Sequence, residues 1–109
     1  MNFSDMMQQF ATALPGTESF KRANAHCEVI IQDEPFQSCA AFLIAGFCRS
    51  YVLIYEDQAL EVEFARRNHR DLLRYMEKLD RALATQDHAV VHQALIGVVE
   101  HYAKSDRIF

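Results

Sequence analysis

Between Cys39 and Tyr55 the chain reads CAAFLIAGFCRSYVLIY, seventeen residues in which only Arg49 and Ser50 interrupt apolar or small side chains. A membrane span needs about 20 apolar residues and tolerates a central charge badly. Arg49 lies well inside the run, and no basic flank, A-x-A-like cleavage site or stop-transfer pattern accompanies it, so the expectation is no membrane. A strand of this length would far exceed the usual five or six residues or so. A helix fits. Asp33-Glu34-Pro35 sets acidic residues and an early proline before it, where a first turn leaves an amide unpaired anyway.

A helical projection of this segment separates two faces. Phe36, Ala40, Leu43, Ile44, Phe47, Tyr51 and Ile54 recur at steps of three and four and read as the inner face. Ser38, Phe42, Ala45, Arg49, Val52 or Leu53, and Glu56 form the opposite line. A solvated face would carry several charges there. Burying a side chain the size of Phe, Val or Leu is worth about 1.5–3 kcal/mol, so these residues are expected to meet a partner. The partner-binding candidates are Phe42, Ala45, Arg49, Val52, Leu53 and Glu56.

The 109 residues are half apolar and a quarter charged, with three glycines and two prolines, which describes one globular domain with few turns. The formal charge of −4 gives no global attraction to nucleic acid or anionic lipid. Cys27, Cys39 and Cys48 are odd in number, lack C-x-x-C spacing and fall within apolar helical patterns. They read as reduced core thiols of a cytoplasmic protein.

Before the central run, Phe3, Met6, Met7, Phe10 and Leu14 form one helical stripe opposite polar residues. It reads first as a helix packed on the core. The functional alternative is a Met-rich arm, since methionine adapts to irregular surfaces, which makes Phe3, Met6, Met7 and Phe10 secondary partner-binding candidates. Pro15-Gly16 ends this element, and Phe20, Ala23, Cys27, Ile30 and Ile31 carry a second helix from a cap at Thr17. Glu56-Asp57-Gln58 predicts a turn with Asp57 as the next cap. The following helix has an apolar seam of Ala65, Leu72, Met76, Leu79 and Leu83, and an opposite basic stripe of Arg67, Arg70, Arg74, Lys78 and Arg81. Thr85-Gln86-Asp87 breaks it and caps a last helix with Val91, Ala94 or Leu95, Val98 and Tyr102 inside. The tail from Lys104 to Phe109 frays unless Ile108 and Phe109 dock. The expected fold is all-α: a single-domain antiparallel bundle of five helices, roughly 3–14, 17–32, 35–55, 58–84 and 87–104, around the central apolar one.

Residues that carry chemistry are scattered. Spacings of Glu63 to Arg67, Asp71 to Arg74 and Glu77 to Arg81 describe the basic stripe as a solvated, salt-laced face, and no helix-turn-helix or aromatic interleaving turns it toward nucleic acid. His88 and His92 share a helix face and could chelate an ion, but no third ligand follows at a metal-site spacing. His69 flanks the apolar seam and reads as a packing residue. No G-x-S-x-G elbow or glycine-rich phosphate loop is present. The reading is therefore a non-catalytic protein without cofactor or metal, which masks or holds another protein as an antiactivator, immunity protein or small chaperone does. A homodimer is expected on the same face, with Arg49 meeting Glu56 across it. The alternatives are an enzyme using His88 and His92, and a basic-helix nucleic-acid binder.

Overall fold

A computed structural model describes every residue from Met1 to Phe109. Five helices follow one another: α1 (Phe3–Thr12), α2 (Thr17–Asp33), α3 (Ser38–Tyr55), α4 (Val62–Ala84) and α5 (His88–Ala103), with a single 3₁₀ turn over Pro35–Gln37 and no strand. The chain forms an all-α bundle whose radius of gyration, 13.2 Å, matches the value of about 13 Å expected for a compact domain of this length.

Local chemistry sets most of the boundaries. Asn2 caps α1: its side chain accepts the Asp5 amide at 2.8 Å, while Asp5 reaches back to the Asn2 amide at 3.3 Å. The helix ends at Thr12, two residues earlier than its apolar stripe suggests, and Leu14 projects into solvent. Gly16 stands at the start of α2 with φ +144°, a conformation L-residues rarely adopt, so the cap is this glycine and not Thr17. Asp87 caps α5 as expected, accepting the amides of Ala89 and Val90. Asp57 does not cap α4. That helix starts at Val62, after a longer turn, with Glu61 in the cap position and no side-chain bond.

The largest helix contact is between α2 and α3. The two run antiparallel, since Lys21 pairs with Glu56 at one end while Glu28 meets Arg49 nearer the other. Ala40, Ala41, Ile44, Ala45, Phe47, Cys48 and Tyr51 are buried along α3, and Phe20, Ala23, Cys27 and Ile30 along α2. Pro35–Tyr55 is long and apolar enough, by length and composition, to cross a membrane. A core helix reaches the same composition by burying its residues between neighbours, as these seven are buried here.

The remaining helices close the core. All five seam residues of α4 (Ala65, Leu72, Met76, Leu79 and Leu83) are buried, as are Val91, Ala94 and Val98 of α5. The C-terminal tail docks: Phe109 is 6% exposed, and its ring lies within 6.4 Å, centroid to centroid, of Phe20, Phe47, Tyr51, Tyr75 and Tyr102. The Tyr102 hydroxyl donates to the Phe109 carbonyl at 2.7 Å and fixes the turn that brings the ring inward.

Candidate functional site

The outer line of α3 survives the packing of the other helices only in part. Phe42 is 64% exposed and Leu53 86% exposed, eleven residues apart and therefore on one face, with Arg49 between them. The Arg49 guanidinium lies 6.0 Å from the Phe42 ring centroid, close enough for a weak cation–π contact. The same guanidinium donates to Glu28 Oε1 at 3.3 Å. Glu56 is taken by Lys21. Both charges of the line are thus neutralised by α2 within one chain, which removes the reason to expect Arg49 and Glu56 to pair across a dimer.

Two members of the expected line belong elsewhere. Ala45 is completely buried. Val52 is half-buried against the core cluster. Ile54, expected inside, is exposed, while Cys48 is buried as the core-thiol reading expects. The surface that remains is Phe42, Arg49 and Leu53, with Glu56 at the end.

The first helix faces inward. Phe3, Met6 and Phe10 are all buried, so the arm reading fails for these three; Met7 is half-buried against the same core. The Phe3 amide donates to Gln37 Oε1 at 2.7 Å, which ties the start of α1 to the turn that precedes α3. His69 of α4 clasps the other end. Its Nε2 is 2.8 Å from the Phe10 carbonyl oxygen, and its ring stacks on the Phe10 ring at 3.9 Å.

No three His, Cys, Asp or Glu side chains converge as a metal would require. His88 sets its ring edge-on against Phe36, at 5.0 Å between centroids, and both His88 and His92 are exposed. Burial pushes the Cys27 thiol up to about 12, Glu28 adding to the effect and Arg49 opposing it. Burial raises Cys48 as well, with Cys27 the next contributor. Neither is an available thiolate near neutrality. Cys39, expected in the core, is exposed.

A groove between α4, α5 and the tail holds four of the five cations of the basic stripe, whose spacing predicts a solvated, salt-laced face. It encloses about 360 Å³, with Arg67, Arg74, Lys78 and Arg81 on its rim and Tyr75, Val98, Ile108 and Phe109 among its apolar lining. Of the spacings expected to neutralise the stripe, only Asp71–Arg74 forms, at 3.9 Å; Glu63 pairs with Arg66 instead of Arg67, and Lys78 and Arg81 have no carboxylate partner. The sequence signals for the groove are the basic stripe itself and Gly97, an interior glycine of α5, where it costs about 1 kcal/mol relative to alanine. A Cβ there would collide with the Lys78 ammonium, which lies over it.

These features define the class only as far as an all-α bundle with an apolar–arginine line on its central helix and a basic groove on its far side. No family model, curated protein or solved structure matches the chain.

Proposed function

We propose that this protein is a non-catalytic binder that masks or holds another protein, in the manner of an antiactivator, immunity protein or small chaperone, and that the outer line of α3 is its docking surface. The observation that carries the reading is the pair Phe42 and Leu53, large apolar side chains left in water on one line of the most apolar helix, with an arginine between them. Aromatic and arginine side chains are the types that interface centres favour. Phe42 is already in contact with the Arg49 guanidinium, so the two are held together before a partner arrives. That lowers the entropy lost on docking.

A second copy of the chain is a partner this line accommodates, because Glu28 and Lys21 neutralise its charges and two copies would not repel each other through Arg49. Light scattering on the free protein decides between a copy and a foreign partner. In either case Phe42→Asp or Leu53→Asp abolishes the association while helicity persists. If either variant unfolds, the line is core and the reading is wrong.

A further inference from the structure

We propose that the groove between α4 and α5 is a second docking site, which seats a short extended acidic segment of another protein. The segment's carboxylates would meet Arg67, Arg74, Lys78 and Arg81, and a large apolar side chain would rest on Ile108, the apolar lining residue left partly exposed. The site is independent of the α3 line: no residue of that line borders the groove.

Three observations carry the assignment. The first is charge. In a chain of net charge −4, four cations border one groove against two carboxylates, Asp71 and Asp106, and Lys78 and Arg81 lack any carboxylate partner of their own. The second is shape. From Arg67 to Arg81 the row runs about 21 Å at the helical rise of about 1.5 Å per residue. That exceeds a compact metabolite and matches about six residues of extended chain at about 3.3 Å each. The third is Gly97. Its missing side chain leaves the space in which the Lys78 ammonium lies across α5, placing a cation directly over the groove wall.

A nucleic-acid strand suits the groove less well. Single-strand binders offer exposed aromatic rings for bases to stack on, whereas Tyr75 and Phe109 are buried here. Asp71 and Asp106 also interrupt the row. A peptide tolerates that interruption, since it alternates carboxylates with neutral and apolar groups.

The test is fluorescence anisotropy of a dye-labelled peptide of about eight residues alternating glutamate and leucine, titrated with the full chain. Saturable binding that weakens with added salt is expected. Lys78→Glu and Arg81→Glu should each weaken it about tenfold or more, since a reversed charge replaces an attraction with a like-charge repulsion. Gly97→Leu, which fills the space beneath Lys78, should weaken it too, with helicity checked by circular dichroism. Arg66→Glu, on a different face of α4 and paired with Glu63, should leave it unchanged. Absence of saturable binding, or binding indifferent to Lys78→Glu and Arg81→Glu, overturns the proposal. So does tighter binding of a single-stranded oligonucleotide of equal charge through the same residues. Because every α3 side chain is left intact, this result and the fate of the α3 reading are separate.

Discussion

His69 on α4 holds the C-terminal half of α1 by its backbone: Nε2 lies 2.8 Å from the carbonyl oxygen of Phe10. A carbonyl accepts, so Nε2 carries the proton and Nδ1 is bare, buried and without a partner. Protonating Nδ1 would place a charge and an unpaired donor in a site that is 7% exposed.

The first prediction follows from that ring. Burial lowers the His69 pKa from its ordinary 6.5, and the Phe10 hydrogen bond opposes the shift only in part. The unfolded chain then binds a proton that the folded chain refuses. Its contribution is present above about pH 6.5 and is lost as pH falls below that value, at no more than about 1.4 kcal/mol per pH unit. Urea unfolding from pH 7.5 to 5 should show the decline. His69→Gln, which keeps a donor for the Phe10 carbonyl and does not titrate, should flatten it. An unchanged slope would place the pH dependence elsewhere.

Thiol accessibility provides the second. Cys27 and Cys48 are buried and Cys39 is exposed. A thiol-specific chromogenic reagent should therefore modify one cysteine per folded chain quickly and all three only in denaturant. Rapid reaction of a second thiol in the native protein would mean that the α2–α3 contact opens readily.

A third concerns the tail. Removing the Phe109 ring by Phe109→Ala empties the space shared by Phe20, Phe47, Tyr51, Tyr75 and Tyr102. Burial on that scale makes the expected loss about 3–5 kcal/mol. Chemical denaturation measures it, and a loss under about 1 kcal/mol would show that the tail is not part of the core.

The buried amide gives a fourth. Asn68 donates to the Tyr51 hydroxyl at 2.9 Å, and its own oxygen is buried without a partner. Tyr51→Phe takes away the one bond this amide has, so a loss of about 1–3 kcal/mol is expected. Removing both groups with Tyr51→Phe and Asn68→Leu should cost less than the sum of the two single changes. Additive losses would show that the two groups are not coupled.

How much of this was legible in the sequence depended on contrast between faces. In α4, charged residues oppose Ala65, Leu72, Met76, Leu79 and Leu83, and the buried seam is the one the spacing predicts. In α3 both faces are apolar, so periodicity carries little phase information. The helical projection puts Ala45 outside, where it is buried, and Ile54 inside, where it is exposed. The docking of Phe109 depends on rings from four helices, and the α4–α5 groove on two helices and the tail. No local pattern reports the docking, and the basic stripe and Gly97 each report only one wall of the groove.

The central claim, that the outer line of α3 holds a protein partner, is tested most directly by capture from the source cell with immobilised wild-type chain and immobilised Leu53→Asp, each first shown to be equally helical. Leu53 is 86% exposed in the last turn of α3, so the substitution costs only helix propensity and an unfavourable charge at the helix C-terminus, about 1 kcal/mol in all. The account predicts that the wild-type chain retains a specific protein, or a second copy of itself, which Leu53→Asp releases. If both chains retain the same proteins in the same amounts, the α3 line is not the docking surface.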